Sequence, residues 1–236
     1  MNYIKWTFLI CLIMLSVSLG AQTNTVTIGY LFKKVEQCYN DKEYMSYNSS
    51  YKMYANYNSK IVSEQYSGLI VKKNGVYYYK INDIEFLNFK DCSLKISNHE
   101  KAVILGKAAS RSLSPLSLES YLKGFNRKLS EDKDYWICEL SPSKVSQIMF
   151  HKIIIYINKK EFTIDKQIMY FLNEMPSKNN KGKETMERPR IEVIFSKRAS
   201  QIAKDDLLVD KKQYLIHIGK KIVLSKRLEA YKLYQS

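Results

Sequence analysis

The sequence predicts one α+β domain, mainly antiparallel β, in which a strongly curved sheet forms an incomplete barrel with helices over its concave face. Segments of alternating hydrophobicity outnumber helical segments in the 236-residue chain. Tyrosine, a strand former with an apolar body and a polar tip, occurs 19 times. Asn74-Gly75 is the strongest hairpin signal, because a type I′ turn needs positive φ at both central residues.

The first 21 residues have the features of a secretory signal peptide. Lys5 is the only charge before an apolar run over residues 6–17, and small residues follow. The run is shorter than the roughly 20 residues of a membrane-spanning helix, and a retained N-terminal anchor is the alternative. Cys11 lies inside the run, so we read no lipobox. We therefore expect a periplasmic protein whose mature part, residues 22–236, is a single domain.

The mature chain begins with a predicted helix and a long strand. Residues 25–41 show helical spacing of apolar positions, with Thr25 as the N-cap. Residues 44–57 switch to a period of two, which predicts a strand with one wet face. The apolar face of this strand carries Met45, Tyr47, Tyr51, Met53, Ala55 and Tyr57.

Further strands and one more helix follow. Strands are predicted at 61–72, 76–81, 84–89, 93–97, 102–105, 135–140, 152–158, 164–173, 191–196 and 214–218. Residues 117–129 return to helical spacing and form the second predicted helix, with Phe125 and Leu129 on its apolar side. Residues 179–183 form a polar loop. Residues 198–212 carry no clear pattern, and 225–236 fit a short helix or an extended segment.

Composition and motifs favour a non-enzymatic protein. The chain is 45% hydrophobic and 26% charged, which excludes disorder and a multi-span membrane protein. His99, His151 and His217 lie far apart and show no metal-ligand spacing. No nucleophile elbow, Walker loop or dinucleotide fingerprint occurs. We expect no catalytic residue, no metal and no cofactor.

Three cysteines remain after signal cleavage: Cys38, Cys92 and Cys138. At most one disulfide can form within the chain, and no C-x-x-C pair is present. We interpret them mainly as small buried residues and leave one pairing open.

The formal net charge of +15 bears on partners. An exported protein without a nucleic-acid-binding motif is not expected to bind nucleic acid. From Lys197 onward the chain has ten basic residues against four acidic ones. This makes residues 198–236 the candidate segment for docking to an anionic membrane surface or an envelope protein. The alternative is a solvated, lysine-rich surface.

Several stretches, taken together, resemble a known family. They are Gly68-Leu69-Ile70-Val71-Lys72-Lys73-Asn74-Gly75-Val76-Tyr77-Tyr78-Tyr79, Lys90-Asp91-Cys92-Ser93-Leu94, Leu140-Ser141-Pro142 and Ile153-Ile154-Ile155-Tyr156-Ile157. With the signal peptide and the first helix, their order over residues 25–198 is similar to the LolA-like periplasmic outer-membrane lipoprotein carriers. The resemblance implies the curved sheet with helical cover and an acyl-chain carrier. Residues 44–73 lack the Arg by which such carriers hold their lid helices shut.

A hydrophobic ligand site follows from this architecture, because straight helices cannot fill the space over a strongly bent sheet. The predicted lining is Met45, Tyr47, Tyr51, Met53 and Tyr57 from the long strand and Leu118, Tyr121, Leu122 and Phe125 from the second helix. Each buried acyl CH₂ would contribute about 0.8 kcal/mol. The alternative is that these side chains simply fill the core. Two functions remain open: a carrier of lipoprotein or lipid acyl chains, and an envelope interaction module that carries no lipid.

Overall fold

The computed structural model describes residues 26–108, 124–143, 149–178, 184–198, 202–219 and 221–235. The helices are α1 (Ile28–Asn40) and α2 (Ile202–Val209). The strands are β1 (Tyr44–Tyr54), β2 (Val62–Lys73), β3 (Val76–Ile81), β4 (Ile84–Asn88), β5 (Cys92–Ser97), β6 (Ala102–Lys107), β7 (Phe125–Glu131), β8 (Tyr135–Pro142), β9 (Phe150–Asn158), β10 (Ile164–Phe171), β11 (Met175–Lys178), β12 (Glu184–Glu187), β13 (Arg190–Lys197), β14 (Leu215–Ile218), β15 (Lys221–Leu224) and β16 (Lys232–Gln235). Neither described helix has the length and apolarity required to cross a bilayer.

Twelve strands form one curved sheet in the order β16-β6-β5-β4-β3-β2-β1-β13-β10-β9-β8-β7. Every pairing is antiparallel except that of β16 with β6. The order ends at β16 and β7, so the described strands make an open sheet. Two separate hairpins, β11-β12 and β14-β15, complete the strands. The predicted mainly antiparallel β architecture is confirmed at this level.

Helix α1 packs on one side of the sheet, which we call the helix face. The Thr27 hydroxyl accepts a hydrogen bond from the Tyr30 amide, so the cap lies two residues after the predicted Thr25. The buried Lys72 ammonium donates to the carbonyl oxygens of Tyr39 and Asn40 at 2.7 and 3.0 Å, where the helix dipole favours a cation. The Tyr39 hydroxyl accepts from the Ile164 amide at 2.9 Å and ties the helix end to β10.

Two short turns set the register of the first hairpins. Asn74 and Gly75 have φ values of 50° and 80°, and Lys73 pairs with Val76 across the turn. Asn82 has a φ of 53°, and Ile81 pairs with Ile84. Both predicted turns are confirmed, and β3 has the predicted bounds.

The predicted helix over 117–129 is wrong in its described part. Residues 109–123 lie outside the described residues, and Phe125–Glu131 is strand β7, paired antiparallel with β8. Phe125 is buried and Leu129 partly buried, and both pack with the core of the helix face. A spacing of four fits a strand face as well as a helix face, so these two residues could not distinguish the two.

The C-terminal segment from α2 to Leu228 packs against the opposite side of the sheet, which we call the tail face, and ends in β16 at the edge of the sheet. Helix α2, β14, β15 and β16 contribute apolar side chains to a cluster with strands β2 to β6. The fully or almost fully buried members of this cluster include Val71, Tyr78, Leu87, Ile96, Val103, Tyr214 and Leu228. The extended alternative predicted for 225–236 is realised in β16, after a 3-10 turn over Lys226–Leu228.

Ion pairs fix this segment to the sheet. Fully buried Asp205 accepts hydrogen bonds from Arg198 and from the Tyr44 hydroxyl, both at 2.7 Å. Arg227 contacts the buried Glu85 at 2.9 Å. Lys211 contacts Asp91 at 2.6 Å, and this hydrogen bond lowers the pKa of Asp91. Part of the basic charge expected to dock a partner therefore neutralises the protein's own carboxylates.

The three cysteines Cys38, Cys92 and Cys138 are free thiols in the structure. Cys92 and Cys138 are buried, and burial raises the pKa of Cys138 to about 12. Cys38 is half-buried, and its thiol donates to the Glu161 carbonyl oxygen at 3.2 Å.

Candidate functional site: an apolar cavity beside the first helix

A row of facing side chains crosses seven neighbouring strands on the helix face. Cross-strand register places in this row Tyr47, Ile70, Tyr79, Phe86, Lys95, Ile104 and Tyr234. The exposed fraction is 7% at Tyr47 and 8% at Tyr79, but 42% at Ile104 and 53% at Tyr234. The row is therefore buried at the end that lies beneath α1 and solvent-exposed at the end that lies beyond the helix.

A cavity of about 410 Å³ lies over the middle of this row. Its lining side chains on the helix face are mainly apolar and come from β1 to β6: Tyr51, Ile70, Tyr79, Ile81, Phe86 and Ile104. A volume of this size lies within the range of small-molecule sites. Burial raises the pKa of Tyr51, as expected for a phenol in apolar surroundings.

Polar groups lie toward one side of the cavity. Asn88, Ser93 and Lys95 line it from β4 and β5, and Lys80 of β3 also belongs to the lining. The Lys95 ammonium lies 5.8 Å from the centre of the Phe86 ring, a cation–π contact. No acidic residue lines the cavity in the described parts of the chain. The arrangement suits an apolar body with one polar end.

The structure distributes the predicted lining residues over several places. Tyr51 lines the cavity, whereas Met45 and Tyr47 are buried in the core beneath α1. Met53 is half-buried near the far end of β1, and Phe125 is buried in β7. The remaining predicted lid residues, Leu118, Tyr121 and Leu122, lie outside the described residues.

Tyr57 lies beyond the end of β1 and apart from the cavity lining. Its hydroxyl donates to the Phe171 carbonyl oxygen. Its ring stacks on His151 with centroids 6.4 Å apart and meets Tyr170 edge-on at 5.1 Å. These contacts connect the turn after β1 to strands β9 and β10.

Sequence reasoning missed most of the lining, which comes from β2 to β6. The signal that could have found it is the pair of turns. A two-residue turn at Asn74-Gly75 places Ile70 opposite Tyr79, and the turn at Asn82-Asp83 places Tyr79 opposite Phe86. Apolar residues at successive positions of β3 also indicate cover on both faces.

Within the described ranges, no group of three or more His, Cys, Asp or Glu side chains could hold a metal ion. All three histidines are exposed: His99 lies in the turn after β5, and His151 and His217 lie on different sheets. Fold and site together define an open, curved antiparallel sheet with a helix on one face and an apolar cavity beside that helix.

The sequence matches no protein-family model, and a search of curated proteins finds no match either. Similar solved structures do exist. A DUF1329 family protein from Desulfovibrio piger is 12% identical, with 79% of this chain and 98% of that chain covered and a TM-score of 0.38. A LolA superfamily protein from Nitrosomonas europaea is 13% identical, with 79% and 99% covered and a TM-score of 0.34.

MucB, solved in complex with the periplasmic part of MucA, is 9% identical to this chain. The match covers 85% of this chain and 62% of that chain, with a TM-score of 0.39. The solved structures thus include a LolA superfamily protein. At these identities and TM-scores they support no statement about function.

Proposed function

We propose that the protein is a periplasmic carrier that shields acyl chains of lipoproteins or lipids on their way to the outer membrane. The cavity of about 410 Å³ beside α1 carries this proposal. Six apolar side chains line its helix-face wall, so the hydrocarbon of a ligand would leave water on entering it. Burial of about a dozen methylenes would contribute on the order of 10 kcal/mol before ordering costs.

The test is native mass spectrometry of protein taken from its own periplasm. We expect wild-type protein to carry acyl species. Ser93→Phe places a ring in the cavity and should abolish the bound mass. Ser130→Phe makes the same exchange at an exposed position of β7, away from the cavity. This control variant should carry the same bound mass as the wild-type protein. Wild-type protein free of lipid would contradict the carrier.

An envelope interaction module without lipid is the second candidate function. Exposed apolar side chains away from the cavity favour it: Met149 is 60% exposed, Leu172 47% and Met186 58%. The Leu172 amide donates to the Met149 carbonyl oxygen, so the backbones of these two residues are neighbours. Exposed apolar clusters mark sites where proteins associate. A stoichiometric envelope protein in the same spectra, lost on Met149→Asp, would support this module.

A further inference from the structure

Lys95 is the charged member of an otherwise uncharged row. Cross-strand register places it between Phe86 on β4 and Ile104 on β6, at the side of the cavity where the row becomes exposed. In the described parts of the chain, no carboxylate lies within ion-pair distance of its ammonium group. Its ammonium group lies over the Phe86 ring instead. The ammonium is therefore open to an anion held at the cavity.

Lys80, the other lysine of the lining, lies opposite Leu69 and Glu85 at a position of β3 that alternates to the tail face. The remaining polar groups do not duplicate the role of Lys95. The Ser93 hydroxyl already donates to the Lys107 carbonyl oxygen at 2.9 Å. Asn88 is only 8% exposed and is not a charge. An anion beside Lys95 would also border Phe86 and Ile104 at the exposed end of the row, so its attraction to the ammonium is that of a solvent-accessible pair and amounts to a few-fold in affinity.

The size of the cavity limits the apolar part of the ligand to one chain. Its volume lies near the lower end of the range for small-molecule sites. From Lys95 to Ile70 the row crosses three strand spacings, which is about 14 Å. A single acyl chain spans half of a bilayer core of about 30 Å, hence about 15 Å.

We propose that the cavity binds a long-chain fatty acid, with its carboxylate at Lys95 and its hydrocarbon directed along the row toward Ile70. This inference rests on the proposed carrier function and narrows its ligand to a single-chain anionic lipid. Lys95 thereby selects the head group, while the apolar wall supplies the affinity that all single-chain lipids share.

The test compares three C12 probes by titration calorimetry, each below its critical micelle concentration: dodecanoate, dodecanol and dodecyltrimethylammonium. We expect the mature wild-type protein to bind dodecanoate about threefold to tenfold more tightly than dodecanol, and the cationic probe most weakly. Lys95→Met should make dodecanoate and dodecanol equal. Lys95→Glu should reverse the order of the two charged probes.

Lys128→Glu is the matched control, since Lys128 is an exposed lysine of β7 that does not line the cavity. It should preserve the wild-type preference, and a thermal melt should show that each variant is folded. Equal affinities for all three probes, or an equal shift from Lys128→Glu, would overturn the role of Lys95. Dodecyl phosphate is added as a fourth probe, and its tighter binding than that of dodecanoate would overturn the carboxylate head. Failure of every probe to bind would instead remove the carrier function itself.

Discussion

Gly68 in β2 is the residue at which neighbouring strands leave no room for a side chain. A Cβ atom built there would lie 2.3 Å from the Ser49 hydroxyl oxygen and 2.8 Å from the Lys80 carbonyl oxygen. The Tyr51 ring would be 3.1 Å away. The absence of a Cβ therefore allows Tyr51, a residue of the cavity wall, to lie over β2.

Replacement of this glycine should destabilise the fold. We expect Gly68→Ala to lower the free energy of unfolding by about 1–3 kcal/mol, because the Lys80 carbonyl is backbone and cannot move aside without distorting β3. Equilibrium urea unfolding measures the change. Gly29→Ala is the control: its Cβ would meet only the Thr27 hydroxyl oxygen at 4.0 Å, and alanine in a helix should add up to about 1 kcal/mol. An unchanged midpoint for Gly68→Ala would contradict the close packing.

The sequence predicts correctly those elements whose own residues carry a turn motif or a regular apolar spacing. The hairpins at Asn74-Gly75 and Asn82-Asp83 follow from turn chemistry, and α1 follows from its apolar stripe. The sequence predicts a helix where β7 lies, because the spacing of four residues between Phe125 and Leu129 fits one face of a helix as well as one face of a strand. Prediction of the cavity wall requires knowing which residues of neighbouring strands lie opposite each other, and in the sequence only the two turns indicate this.

The sequence predicts the strand at 214–218 and the extended alternative for 225–236, but for a different reason it does not predict helix α2 or strand β15. These two elements are short, and the few apolar residues of each pack against the tail face of the sheet without establishing a helical or a strand period along the chain. Tyr214 and Leu228 are almost completely buried there, yet Leu228 lies between the exposed, charged residues Arg227 and Glu229. Their role depends on long-range packing, which a single sequence does not display.

Loss of the last elements should therefore expose the tail face. A chain that ends at residue 224 lacks Leu228, which is 2% exposed, and leaves buried Glu85 without Arg227. We expect a loss of about 4 kcal/mol or more and strong binding of an apolar dye. Urea unfolding and dye fluorescence measure these effects.

A chain that ends at residue 231 is the matched comparison. It keeps Leu228 and Arg227, and lacks only β16 and the last residue. Its loss should be clearly smaller. Equal stability of the two shortened chains would show that the contacts of Leu228 and Arg227 do not hold the segment.

Across the molecule, the sheet has an apolar cluster on each face, and both clusters contain buried tyrosines. Tyr39 and Tyr47 lie on the helix face, and Tyr78 and Tyr214 lie on the tail face. Burial raises the pKa of each of these phenols above its ordinary value. The folded state therefore disfavours tyrosinate on both sides of the sheet at once.

This arrangement predicts alkaline unfolding. Burial raises the pKa of Tyr214 from 10.0 to about 12, so the unfolded chain releases this proton first as the pH rises. Stability is fully present below pH 10 and is lost between pH 10 and about 12, with Tyr214 contributing on the order of 2 kcal/mol. Circular dichroism should show unfolding in this window, together with the appearance of tyrosinate absorbance.

The contribution of one buried phenol can be separated from the whole. Tyr214→Phe removes its titration and also the hydrogen bond that its hydroxyl donates to the Leu208 carbonyl oxygen at 2.8 Å. The variant should be less stable at pH 8, but the difference from wild type should shrink as the pH rises toward 12. Tyr30→Phe, at a side chain that is 47% exposed, should leave the alkaline transition unchanged. A constant difference between Tyr214→Phe and wild type from pH 8 to 12 would mean that Tyr214 ionises equally in the folded and unfolded chains.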